Sequence, residues 1–286
     1  IFIIKVRMRV HRRHLSPNSY GTPTAGAYLK QFEGGMVTRS NFQGMSDVAV
    51  ITLDYPEKKN AMTGSMMCAL REHIHDIAIS SASLRAMILR GADGNFCAGA
   101  DLDFIRKTAN YGDGYVLSRF MSETLWEMAS LPVPVIAVLE RNCLGGASEL
   151  AMAADIRVAN SNARLAFVHS RMGITPGFGS VRFLKDIVGR SMAIELIATG
   201  ELLDANRMKE LGMLNKIFKD EEELTTYIRR FTRNSSRVVR ASKTVVRDTY
   251  DRRGWEDRRK GEQQVFLQLW GSKDHRDALS TERKHR

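Results

Sequence analysis

The sequence predicts an α/β domain followed by a helical C-terminal region, and three observations carry that prediction. Strand-like and helix-like runs alternate from Asp47 onward. Two glycine-rich turns, "GADGNFCAGAD" and "LGGASEL", each lead directly into a helix start. Beyond Ser180 the pattern becomes mainly helical.

The elements follow in order. "VAVITLDY" (48–55) is β-branched and stops at Pro56, which reads as a strand. In 61–80 the apolar residues recur at helical spacing. "RAMILRG" (85–91) is a short apolar run stopped by Gly91, and a Gly/Asn loop then leads to a helix opening at Asp101. "VPVIAVLE" (133–140) is a third buried strand, and "GGASELAMAAD" (145–155) is a helix of small residues that allow close packing on a sheet. "IRVAN" (156–160) and "ARLAFVH" (163–169) are two further strand-like runs. The resulting division is a basic N-terminal tail (1–35), an α/β core (36–203) and a C-terminal helical region (204–286).

A chain of 286 residues, 43% hydrophobic, is long enough for one large core. Its three cysteines, Cys68, Cys97 and Cys143, form no CxxC pair, so neither a disulfide framework nor a usual zinc site is expected, and a reducing compartment fits. No metal site and no membrane span are written in the sequence. The net charge of +11 sits at the ends: residues 1–39 hold seven Lys/Arg against one acid, and 229–286 hold seventeen against eight. The middle, with its glycine-rich loops, is slightly acidic, so a nucleic-acid face would have to be built from the termini. The Arg-rich C-terminal stretch reads as a solvated helix surface. The basic, acid-poor residues 1–35 fit an organelle transit peptide as well as a disordered tail.

The two glycine-rich turns present backbone N–H groups at helix starts, where the helix dipole adds positive potential. If the N–H groups of Ala100 and Gly146 converge, they form an oxyanion hole. Glu149 follows Gly146 on the first turn of the same helix, and the return strand could bring His169 beside it. A histidine can donate or accept a proton near neutrality. By itself, however, His169 reads more readily as a satisfied core residue than as a catalytic one, and Glu149 equally as an acid favouring a helix N-terminus.

"ITLDYPEKKNAMTGSMM", "NFCAGADL", "LGGASELAMAADIRVAN" and "GITPGFGSVRFL", in this order, resemble the crotonase (enoyl-CoA hydratase/isomerase) superfamily from about Met36 to Leu279. The resemblance implies an α/β spiral of ββα units, with a C-terminal helical oligomerisation region that packs homotrimers, often homohexamers. It implies acyl-CoA thioester substrates and no cofactor apart from the coenzyme A that the substrate carries. Ala100 and Gly146 fall on the family's oxyanion-hole positions. Lys59, Ala61, Gly99 and Leu102 fall on CoA-contacting ones, and Glu149 on the first of two hydratase carboxylates. His169 stands where hydratases carry the second, which argues against hydration. "RNC" before Leu144 also departs from the family's usual small or aromatic pair.

"LAFVHSRMGITPGFG" and "LWGSKDHRDAL" resemble the ethylmalonyl-CoA decarboxylase subgroup. That resemblance implies a carbon-carbon lyase acting on short-chain 2-alkylmalonyl-CoA, ethylmalonyl-CoA first and methylmalonyl-CoA second, in metabolite repair within fatty-acyl-CoA metabolism. His169 is the first candidate for protonating the enolate and Glu149 the second. An enoyl-CoA hydratase or isomerase is the alternative activity. RNA-binding crotonase homologues are the alternative of another class, but no RNP-like or interleaved aromatic pattern makes RNA an expected partner. The subgroup implies a cytosolic location, and the Arg-rich start leaves the mitochondrial matrix as the alternative.

Overall fold

The computed structural model describes residues 22–80, 82–248, 263, 266–267 and 270–280. Among the described residues, nine strands form two sheets. The larger contains, in spatial order, β1 (Met36–Phe42), β2 (Met45–Asp54), β3 (Ala86–Gly91), β4 (Val135–Leu139), β6 (Ile156–Asn160) and β9 (Lys216–Phe218). The smaller contains β5 (Asn142–Leu144), β7 (Arg164–Ala166) and β8 (Leu203–Asp204). β1 and β2 form an antiparallel hairpin, and the rest of the large sheet is parallel.

Parallel strands covered on both faces should be apolar throughout, because neither face meets water. β4 obeys this: all five of its residues are buried. Alternate side chains enter two separate cores. Ala49, Ile51, Leu53, Met87 and Leu89 join one core, while Val48, Val50, Ile88, Ile136 and Val138 join the other.

The first core is closed by α1 (Thr22–Leu29), α2 (Gly64–Ser80), α4 (Tyr111–Ser130), which follows the short α3 (Leu102–Lys107), and α5 (Gly146–Ala153). α6 (Val181–Thr199) and α7 (Ala205–Glu210) also contribute to it. The second is covered by α8 (Glu221–Thr232), through Leu224 and Ile228. α9 (Ser236–Asp248) ties to the core through Lys243 Nζ, 2.6 Å from Asp155 Oδ2 and 3.0 Å from Val133 O. The last described helix is α10 (Lys273–Ser280).

Four sequence expectations change. The segment 1–35 was assigned to a tail, yet its residues 22–29 form α1, whose Ala25 and Leu29 are buried in the core; residues 1–21 lie outside the described residues. β8 and β9 extend the sheets past residue 203, because a two-residue and a three-residue strand are too short to register as periodicity. The 20-residue α4, capped by the Asn110 side chain, went unread. The run through His169 does not stay extended: β7 ends at Ala166, and Val168–Met172 form a 3-10 turn closed by Gly173 at φ 70°. Much of the Arg-rich stretch, 249–262, lies outside the described residues.

If α1 is part of the fold, Leu29→Ala leaves a cavity in the core and lowers unfolding free energy by about 2–5 kcal/mol in urea titration. A change no larger than that of an exposed leucine would show α1 undocked.

Candidate active site

The first glycine-rich loop leaves the carboxyl end of β3, and the second follows β5, which begins just beyond the carboxyl end of β4, the parallel neighbour of β3. Ligands of open α/β sheets bind at such ends. The chain at 96–101 is clamped between two others. On one side Phe96 N donates to Glu140 O and Cys97 N to Asn142 O, each at 2.8 Å, while Leu144 N donates to Cys97 O at 3.2 Å. On the other, Ala98 N donates to Lys59 O, Met62 N to Gly99 O and Asp101 N to Met62 O.

Because Gly99 O and Asp101 N both turn to Met62, the N–H of Ala100 turns the opposite way, as alternation along an extended chain requires. Asn60, fully buried, anchors the other side of this frame. Its Oδ1 accepts from Tyr55 N at 2.8 Å, and its Nδ2 donates to Ala92 O at 2.9 Å and Asn95 O at 2.8 Å.

Gly99 and Gly145 are positions that accept glycine alone. Gly99 has φ 106°, and a Cβ there would stand 2.8 Å from Leu144 O and 4.0 Å from Gly146 N, which measures how closely the two loops approach. Gly145, with φ 56° and ψ −124°, turns the chain into α5 and so leaves the Gly146 N–H as the helix's first, without an intrahelical acceptor. α5 is held at its far end by buried Arg157, which donates to Ala154 O at 2.6 Å and Met213 O at 2.7 Å. Burial pushes the Arg157 guanidinium down to about 10, still charged at neutrality, and a cation at a helix C-terminus favours the dipole.

The two loops line one cavity of about 460 Å³. All eight candidate residues lie on it: Lys59, Ala61, Gly99, Ala100, Leu102, Gly146, Glu149 and His169. Glu149 and His169 meet directly, Nε2 to Oε1 at 3.1 Å. Glu149 is 1% exposed, and the rest of its carboxylate is occupied as well. Gly177 N reaches Oε1 at 3.2 Å, while Phe178 N and Ser180 Oγ reach Oε2 at 2.9 Å each. Three donors besides the histidine therefore need this group as an acceptor. Both oxygens already act as acceptors, so the histidine is read as a fourth donor, with the hydrogen on Nε2 and Nδ1 as the ring's other nitrogen. That Nδ1 is buried with no partner among the described residues.

The remaining carboxylates on the cavity are engaged elsewhere. Asp101 caps α3, accepting from Phe104 N at 2.9 Å, and lies 3.4 Å from Lys58 Nζ. Asp103 binds Lys58 Nζ at 3.0 Å and Arg106 Nη1 at 2.9 Å. Lys58, Lys59 and Arg106 thus bring three cations to the cavity. Cys97 is no nucleophile: burial pushes its thiol up to about 12, and burial raises Cys143 well above the ordinary range too.

Sequence reasoning missed the donors to Glu149 in "PGFGS", because a proline-glycine run reads as loop whatever its amides bind. It also missed Phe266, Trp270 and His275, which reach the cavity from the C-terminal segment. The motif "LWGSKDHRDAL" marked two of these residues without assigning them a place.

The enoyl-CoA hydratase/isomerase family model matches residues 43–285, and the chain belongs to this family. Among curated relatives, ethylmalonyl-CoA decarboxylase of Danio rerio is 32% identical over 266 residues, covering 90% of this chain and 87% of that protein. The protein of the same name from Xenopus tropicalis is 29% identical, covering 99% and 96%. An enoyl-CoA hydratase/isomerase structure from Xanthobacter autotrophicus Py2 superposes with TM-score 0.76 at 26% identity, over 86% of this chain and 92% of that one. One from Mycobacterium paratuberculosis shares the fold, with TM-score 0.77 at 21% identity over 85% and 97%.

Glu149→Gln replaces one acceptor oxygen by a donor that faces buried donors. It should lower stability by about 2 kcal/mol in urea unfolding. A loss below about 0.5 kcal/mol would mean that the carboxylate does not hold the 177–180 loop.

Proposed function

We propose that this protein decarboxylates short-chain 2-alkylmalonyl-CoA, ethylmalonyl-CoA first and methylmalonyl-CoA second, as a carbon-carbon lyase in metabolite repair. The observation that carries the reading is the state of the carboxylates on the cavity. Glu149 is bound by four donors, and Asp101 and Asp103 are held by a helix cap and by cations. Hydration of a double bond calls for paired acids free to hold and activate one water. Here the second member of the pair is an imidazole. The names of the relatives at about 30% identity support the same choice.

In the reaction, the Ala100 and Gly146 N–H groups hold the thioester oxygen, while Lys59, Ala61, Gly99 and Leu102 contact the coenzyme A portion. The bond between C2 and the carboxylate carbon breaks, its electron pair passes to C2 and onto the thioester oxygen, and CO2 leaves. Two backbone donors aimed at that oxygen stabilise the charge where it develops. His169, in its imidazolium form, gives the Nδ1 proton to C2 and regains one from solvent. Glu149 keeps Nε2–H and acts as counter-ion and positioning residue. An imidazole beside the substrate carboxylate avoids the repulsion that a second glutamate would add. The electron sink is the thioester itself, so the chemistry draws on no further cofactor. Leu117, Met172, Ile174 and Phe178 line the cavity and suit a short alkyl group.

The test is a panel of CoA thioesters with CO2 and product detection. Ethylmalonyl-CoA should yield CO2 and butyryl-CoA, and His169→Gln should lower kcat by about 10²–10⁴-fold. Hydration of crotonyl-CoA without CO2 release from any malonyl thioester would overturn the assignment.

A further inference from the structure

His275 is a buried imidazole on the active-site cavity that the chemistry above does not use. It is 0% exposed, it lies on α10, and its ring packs against Trp270 at a tilt of 47° with centroids 4.8 Å apart. Trp270 in turn donates its Nε1–H to Thr108 O at 2.8 Å, at the end of α3. α10 packs against both α3 and the 3-10 turn that carries His169. The C-terminal segment therefore places His275 between the wall that bears Leu102 and the wall that bears the candidate proton donor.

The ring's hydrogen bonding fixes its tautomer. Gly271 N donates to His275 Nδ1 at 2.9 Å, so Nδ1 is the acceptor and the neutral ring carries its hydrogen on Nε2. Nε2 is buried and has no partner among the described residues. A buried donor left unmet costs free energy, so Nε2–H calls for an acceptor beyond the described residues, and an anion bound in the cavity would supply one. Burial and the neighbouring Arg276 cation push the imidazole down to about 4, so it is uncharged at neutral pH.

We propose that His275 Nε2–H is the donor that binds and orients the carboxylate of the substrate's 2-carboxyacyl group, making it a specificity-determining residue for carboxylated over plain acyl-CoA. The proposal rests on the decarboxylase reading for the reaction, although the binding role can be measured apart from it. A neutral donor suits the chemistry better than Lys or Arg. Decarboxylation moves negative charge from the carboxylate to the thioester oxygen, and a second full cation at the carboxylate, added to the His169 imidazolium, would stabilise the ground state more than the transition state. An uncharged N–H turns the carboxylate without holding its charge so strongly. His275 transfers no proton: the bond broken is C2 to carboxylate carbon, and the proton to C2 comes from His169.

The test measures binding without turnover, on the full chain. The probes are 2-sulfobutyryl-CoA, whose sulfonate cannot leave as CO2, and butyryl-CoA, which lacks the anion. His275→Leu should raise Kd for the sulfonate about tenfold to hundredfold, the worth of one hydrogen bond to a charged group. Butyryl-CoA should change less than about twofold. His275→Gln, whose amide Nε2 supplies a donor, should recover most of the affinity. Equal weakening for both probes, or none for either, or no recovery with Gln, would overturn the proposal. Wild-type protein that releases no CO2 from ethylmalonyl-CoA, yet discriminates the two probes through His275, would remove the decarboxylase reading and leave the carboxylate site standing. Decarboxylation with discrimination indifferent to His275 would do the reverse.

Discussion

Glu149 accepts hydrogen bonds from His169 Nε2, Gly177 N, Phe178 N and Ser180 Oγ, and the organisation of the cavity depends on that single carboxylate. It stands one turn into α5, whose first N–H is that of Gly146, so one short helix supplies both the amide proposed to bind the thioester oxygen and the anchor for the histidine. An ionised carboxylate surrounded by donors is stable when buried only if every donor is satisfied by it. The same contacts fix the loop that forms one wall of the cavity. The stability of that wall and the chemistry proposed for the cavity therefore share one group.

The second constraint is steric. The two glycine-rich loops approach until a Cβ at Gly99 would press on Leu144 O, and the Met62 and Cys97 bridges hold the chain between them in register. Backbone amides placed this way keep their geometry when charge appears on a bound oxygen, because nothing has to reorganise. Cations gather on the same cavity, with Lys58 and Arg106 sharing Asp103. The arrangement suits an anionic thioester with a long phosphorylated carrier.

The sheet was legible because the parallel strands are buried on both faces and therefore nearly all apolar. The loops were legible because glycine before a helix start has few explanations. α4 was not: its buried Val116, Leu117, Phe120, Met121 and Leu125 do follow helical spacing, but serine and threonine share that face, with Ser118, Ser122 and Thr124 buried as well. The pairing of Glu149 with His169 could be suggested by order along the chain, whereas the three other donors to Glu149 could not, since a backbone amide has no sequence signature. His275 lies more than a hundred residues from His169 and reaches the cavity only because α10 folds back on it; contacts of that range are written in tertiary structure alone.

In the proposed reaction His169, held by Glu149, delivers the proton to one face of an enolate bound at Ala100 and Gly146. Turnover of ethylmalonyl-CoA in deuterium oxide, with the configuration of deuterium at C2 of the product read by NMR, tests it most directly. The wild type should incorporate one deuterium in a single configuration, and the residual product of His169→Gln should carry a scrambled configuration. A scrambled product from the wild type, or the same single configuration at undiminished rate from the variant, would contradict it.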